Sequence, residues 1–436
     1  MFPREILGDA TLTLETFRAI PHHLILLSLK ISHMIHTLPN GLRIIHEPSD
    51  STVLYCGYVV CSGTRHEAPA ESGMAHFVEH MTFKGTERRK ASQVTTTLER
   101  VGGDLNASTS KQETVYTAAV LKEDVARAVD LLSDIVFHST FPQQEVEREV
   151  EVICDEIDSY LDAPAELIFD EFESMIYADA PLGRDILGNA DTLKTYTTAD
   201  FRRFVDKHYV PENCIFYAYG NIDPLRLIRL VERATADVPN SPKPSVESLK
   251  TNYEPKTVVR EKGTHQAHVV IGAPAYGAND DRRFGMLLLN NILGGPGMNS
   301  RLNVQVRERA GLVYSIDSYL STYPDTGMWN VYFGCDPHDV NRCLKLVKKE
   351  LRKLAEKPLT PSQLHAAQKQ LKGQIGISCD NREGYALALG KTFAHYNVHR
   401  DVNNLYEEID RLTPEQLQAI AREVYAEDKL STLIYK

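Results

Sequence analysis

The pentad His76-Phe77-Val78-Glu79-His80 constrains this chain more than any other stretch of it. Two histidines and a glutamate at i, i+4 and i+3 meet on one side only if the segment is helical. The flanks agree with a helix over 72–84, with Ser72 where an N-cap is expected and Gly85 where a C′ residue is expected. Phe77 and Met81, beside the candidate ligands, read as core rather than substrate pocket. The order H-x-x-E-H inverts the commoner H-E-x-x-H. Two neutral imidazoles can hold Zn²⁺, and a carboxylate beside them can take a proton from a metal-bound water.

A hydrolytic zinc site usually has a third protein ligand and a fourth, open position. The best source of that ligand is the acidic stretch Glu145–Ile157. There Val146, Val150, Ile153 and Ile157 recur at helical spacing and predict a helix over 143–160. Glu149 and Glu156 lie seven apart, two turns along one face beside that stripe. One could reach the metal while the other accepts a hydrogen bond from a ligand imidazole. Periodicity alone equally allows a solvated acidic face. Glu147 and Glu151 lack a glutamate seven residues on.

The pentad followed by Met81-Thr-Phe-Lys-Gly-Thr86 resembles the pitrilysin/insulinase family of zinc metallopeptidases, in particular its bacterial branch similar to mitochondrial processing peptidases. Further segments resemble the family in the expected order: Gly102-Gly-Asp-Leu-Asn-Ala-Ser-Thr-Ser110, Pro181-Leu-Gly-Arg-Asp-Ile-Leu-Gly188, Gly294-Gly-Pro-Gly-Met-Asn-Ser-Arg301 and Arg307-Glu-Arg-Ala-Gly-Leu-Val-Tyr314. The resemblance spans residues 34 to 436. It implies Zn²⁺ held by His76, His80 and Glu149, with Glu156 in support and Glu79 as general base. It also implies Arg307 and Tyr314 as binding or oxyanion groups brought from the second half. Without it, they would read as a surface arginine and a core tyrosine. Asn106, Ala107 and Ser108 would form a free strand edge that pairs with the backbone of an extended peptide.

Hairpin-grouped strands separated by helices point to an α+β fold with mostly antiparallel sheets. Residues 34–236 and 256–436 repeat one order of elements around a Pro/Ser/Asn/Lys-rich stretch, 237–255. Two homologous domains follow, each a sheet flanked by helices, and the family resemblance implies that together they form half of a clamshell chamber. Residues 1–33 read as an extension outside this fold: Leu24–Ile31 is apolar but too short to span a bilayer. In the first half, strands at Leu42–His46 and Val53–Cys61 are joined by a turn at Pro48–Ser51, and a helix over Ala91–Val101 shows Thr95, Leu98 and Val101 on one face. His265 and His268 read as incidental to a strand end, since no third ligand stands at suitable spacing.

A net charge of −11 with no long basic block argues against nucleic acid and leaves an acid-lined chamber for basic peptides conceivable. Seven scattered cysteines, with no C-x-x-C, suggest a reducing, cytoplasmic setting; with no bilayer-spanning apolar stretch read, no membrane partner is expected. The expected function is a zinc endopeptidase acting on short or unfolded peptides. Its simplest assembly is a C2 homodimer, a zinc-lacking partner chain being the alternative. A non-catalytic scaffold and a leader-processing peptidase are the rival readings.

Overall fold

A computed structural model describes residues 33–178, 180–245, 249 and 252–436. The expected extension at 1–33 lies outside them except for His33, as does part of the 237–255 stretch. Among the described residues, eleven strands form two sheets. The first contains β1 (Met34–Thr37), β2 (Arg43–Glu47), β3 (Val53–Val60), β4 (Asp104–Thr109), β5 (Thr114–Leu121) and β6 (Cys214–Tyr219), in the order β1-β2-β6-β3-β5-β4. The second contains β7 (Thr257–Arg260), β8 (Ala267–Ala275), β9 (Val313–Thr322), β10 (Gly327–Cys335) and β11 (Ser431–Tyr435), in the order β7-β11-β8-β10-β9.

With β1 set aside, both sheets have their strands in the order first-fifth-second-fourth-third along the chain. In both, only the first–fifth pair is parallel. The two halves are thus one topology built twice, α+β with mostly antiparallel pairing. β2 and β3 are joined at Pro48–Ser51 as expected but do not pair. β6 inserts between them, because a late strand completes each sheet.

Helices of the first half are α1 (Met74–Thr82), α2 (Ala91–Glu99), α3 (Val125–Phe137), α4 (Gln143–Leu161), α5 (Pro164–Ile176), α6 (Thr198–His208) and α7 (Pro224–Ala234). Those of the second are α8 (Arg282–Gly294), α9 (Val340–Glu356), α10 (Pro361–Cys379), α11 (Arg382–Tyr396), α12 (Val402–Arg411) and α13 (Pro414–Val424). None is long and apolar enough to cross a membrane among the described residues. On α2 the buried pair is Val94 and Leu98, spaced i, i+4, rather than the Thr95 face. Thr95 is exposed, and Val101 falls beyond the helix.

The strands alternate between two cores. Along β3, Leu54, Cys56, Tyr58 and Val60 face the helices of their own half, while Val59 faces the other way. That outer face is covered by α11, from the other half: Ala386, Leu389, Phe393 and Ala394 pack on Ile45, Val59, Val115, Ile215 and Tyr217. The exchange is reciprocal. α5, from the first half, lays Ile168, Phe172 and Ile176 on Val270, Met328, Leu433 and Tyr435 of the second sheet. With both faces buried, the central strands read as apolar runs rather than strict alternations.

Polar contacts lock the same seam. Glu47 accepts from Tyr385 Oη at 2.9 Å and meets His399 Nε2 at 2.8 Å. Glu113, in the turn between β4 and β5, lies 2.8 Å from Lys391 Nζ and 2.7 Å from His395 Nε2. Burial alone would raise the Glu113 carboxyl. The His395 hydrogen bond and the Lys391 charge outweigh it and hold the group down to about 2, from an ordinary 4.5. A depressed carboxyl stabilises the fold above its ordinary pKa, and that contribution is lost as pH falls toward the folded value. Glu113 should therefore supply about 3 kcal/mol at neutral pH, disappearing between pH 4.5 and about 2. Urea unfolding of Glu113→Gln should show a lower midpoint at pH 7 and a flatter acid limb; superimposable acid limbs would show that the ion pair does not hold the seam.

Candidate metal centre

α1 positions the centre. Phe77, Val78 and Met81 are buried in the core, and Phe77 meets Phe201 of α6 edge-on at 4.8 Å. The pentad's other face then carries His76, Glu79 and His80 out toward α4 and β4. The helix starts one residue later than Ser72 suggested. Gly73 is its N-cap, in the left-handed region at φ 80°, where a Cβ would also lie 2.7 Å from the Leu187 carbonyl oxygen. Gly85 is left-handed too, but it follows the C-cap Phe83 by two residues and bridges to Lys90 instead of closing the helix.

His76 Nε2, His80 Nε2 and a Glu156 carboxylate oxygen converge, all three within 4.8 Å of one another. Glu156 Oε2 lies 3.8 Å from His76 Nε2 and 3.6 Å from His80 Nε2. Ligand atoms about 2.1 Å from a tetrahedral zinc stand about 3.4 Å apart, so the spacing is a few tenths of an ångström wider than a loaded site. Two imidazole nitrogens and one carboxylate oxygen suit a divalent ion that keeps one open position. Burial, reinforced by neighbouring His80, pushes His76 down to about 3, leaving a neutral imidazole.

The two acids of α4 occupy the reverse of the expected places. Glu156 stands with the imidazole nitrogens. Glu149, expected as the ligand, is 3.0 Å from His80 Nδ1 through one oxygen and 2.5 Å from Lys84 Nζ through the other. Burial would raise Glu149, but the bonds from His80 and Lys84 hold it below the usual carboxylate range. This is the outer position of a carboxylate–histidine pair. It turns His80 Nε2 toward Glu156. The seven-residue spacing put both acids on one face, and the crossing of α4 against α1 decides which one reaches the nitrogens.

Glu79 lies beside the cluster without joining it, and Thr109 Oγ1 on β4 donates to its Oε2 at 2.5 Å. Burial pushes the Glu79 carboxyl up, against the Thr109 hydrogen bond and the nearby His80. β4 is the terminal strand of its sheet. Asn106 and Ser108 are exposed and Ala107 half-buried, so one edge lacks a strand partner among the described residues. The sequence reading missed Thr109 and Lys84 as functional neighbours. Lys84 stands four residues after His80, a spacing that pointed to the same side of α1.

The second half contributes less visibly. Arg307 pairs with Glu308 at 2.7 Å, and no hydrogen bond or ion pair joins it or Tyr314 to the cluster among the described residues. Tyr314, at the start of edge strand β9, is 91% exposed, so it is not the core tyrosine that packing statistics favoured. His268 Nδ1 meets the Tyr332 hydroxyl at 2.9 Å, and neither His265 nor His268 joins a three-ligand group among the described residues.

Two family models match, "Insulinase (Peptidase family M16)" over residues 43–190 and "Peptidase M16 inactive domain" over 195–371. An uncharacterized zinc protease of Streptomyces coelicolor is 36% identical over 89% of this chain and 86% of its own length. The chain belongs to the insulinase family, peptidase family M16. An uncharacterized zinc protease of Bacillus subtilis is 32% identical over 92% of this chain and 97% of its own length. The fold is shared with a Helicobacter pylori protease, with a TM-score of 0.84 at 22% identity over 93% of this chain and 99% of that one. The converging ligand atoms all lie within the first match, and the domain described as inactive holds none of them.

Proposed function

We propose that this M16 member is a zinc-dependent endopeptidase for short or unfolded peptides, with His76, His80 and Glu156 as ligands and Glu149 as the orienting partner of His80. One observation carries the reading: the two Nε2 atoms and the Glu156 oxygen converge beside the Glu79 carboxylate, at the foot of a strand with a free edge. When bound, zinc would supply an acidified water and a positive charge next to the scissile carbonyl. Glu79 is the base. Its half-buried carboxylate takes up the proton of the attacking water and passes it to the leaving amine. The Thr109 hydroxyl holds one Glu79 oxygen beside the cluster.

An extended peptide would add to the edge of β4, with backbone hydrogen bonds at Asn106–Ser108 giving affinity and the neighbouring side chains giving preference. Arg307 and Tyr314 would act on the bound peptide from the second half, within a chamber closed by a second copy of the chain in a C2 dimer. The exposed Tyr314 ring leaves it available for that contact.

Glu79→Gln should lower kcat on a quenched fluorescent peptide by about 10²–10⁴-fold while zinc content stays stoichiometric. Retained turnover would remove Glu79 from the chemistry. The two acids separate in metal titrations. Glu156→Gln should abolish tight zinc binding, whereas Glu149→Gln should weaken it by about 10–100-fold. The opposite ranking would return the ligand role to Glu149.

A further inference from the structure

We propose that Glu67 is a positioning residue for the metal helix, held in place from the second half of the chain through Arg65. The inference rests on the ligand reading above. α1 begins without a side-chain N-cap, because Gly73 has none to offer. The first N–H groups of a helix have no partner within it. Here a carboxylate six residues upstream fills the gap: Glu67 Oε2 accepts from Gly73 N at 3.1 Å, and Oε1 accepts from Ala75 N at 2.9 Å. Glu67 is buried, so water does not replace it there. Burial pushes the Glu67 carboxyl up to about 8 against these two backbone hydrogen bonds, so its acceptor oxygens rather than a full charge serve the helix. Ala75 immediately precedes the ligand His76.

The strap carrying Glu67 is fastened along its length. Thr64 N and Arg65 N donate to the carbonyls of Ser110 and Lys111 at 3.2 and 2.9 Å, and the Arg184 guanidinium donates to the Glu67 carbonyl. Gly63 lies flat on that hairpin; a Cβ would sit 2.1 Å from the Ser110 oxygen. Arg65 is buried and grips both carboxylate oxygens of Asp325, in the turn between β9 and β10, with one contact at 2.8 Å. Such a forked pair fixes direction as well as distance. Asp325 also accepts from Leu249 N at 3.3 Å. The path therefore runs from Asp325 to Arg65, two residues along the chain to Glu67, and from its carboxyl to the turn that precedes His76.

Without the Glu67 carboxylate, two donors in the first turn of a nine-residue helix are left unpaired. His76 and His80 should then be held less firmly. The test uses the full-length chain and two measurements: the rate of zinc loss to a chromogenic chelator, and amide hydrogen exchange over 74–82 in metal-free protein. Glu67→Leu should release zinc about tenfold faster or more, comparable to loss of an outer-sphere partner, and should exchange faster over that segment. Glu67→Gln, which keeps one acceptor oxygen, should fall between Glu67→Leu and wild type in both measurements. Asp325→Asn, which leaves the cap itself intact, should also speed both, by a smaller factor. Wild-type release and exchange in Glu67→Leu would overturn the proposal. If that variant does not fold, wild-type values in Asp325→Asn would overturn it equally. If wild-type protein takes up no zinc, the ligand reading fails, and exchange over 74–82 still decides whether Glu67 holds the helix.

Discussion

The site depends on the burial of one short helix. At nine residues α1 is too short to be stable alone, and seven of its residues are buried in the protein. Packing of Phe77, Val78 and Met81 fixes its rotation, and rotation decides where His76, Glu79 and His80 point. The same burial lowers the proton affinity of His76 and raises that of Glu79, while at His80 the Glu149 hydrogen bond and the neighbouring acids outweigh burial and raise it. A neutral imidazole is what a metal needs, and a more basic carboxylate is better placed to accept a proton. Fold and chemistry therefore draw on a single packing arrangement.

The second half supports this arrangement although it holds none of the converging ligand atoms. A sheet with one face left wet would leave Ile45, Val59, Val115 and Ile215 in water. α11 covers them, and α5 repays the cover on the other sheet. Each fully buried side chain of this size is worth about 1.5–3 kcal/mol, so neither half keeps its stability alone. The duplicated topology gave each sheet the same outer face to cover, and the exchange covers both at once.

The sequence displayed the parts of this design that repeat along one chain segment. The pentad helix, the α4 stripe at Val146, Val150 and Ile153, and the order of strands in each half follow from periodicity. What escaped depends on contacts between segments. α11 carries Gly384 and Gly390 and reads poorly as a helix. A Cβ at Gly390 would lie 2.5 Å from the Tyr217 ring, so the glycine is there to let the helix approach the sheet. β6 between β2 and β3 is likewise a long-range pairing that no local pattern announces. Ser72 looked like the cap of α1, whereas the carboxylate that serves its first turn is Glu67, outside the usual capping positions.

The two acids of α4 show the same limit at the level of chemistry. Glu149 and Glu156 are equivalent by spacing and by residue type. Their surroundings separate them. Glu149 is almost wholly buried, and both its oxygens are engaged, one by His80 and one by Lys84. A carboxylate so committed has little capacity left for a cation, and Lys84 brings a positive charge that a second cation would oppose. Glu156 is 42% exposed at its side chain, and its only ion-pair-range neighbours among the described residues are the two imidazoles. It keeps the free lone pairs that a ligand requires. A lysine four residues after the pentad thus sets the two acids apart, by neutralising one and leaving the other open.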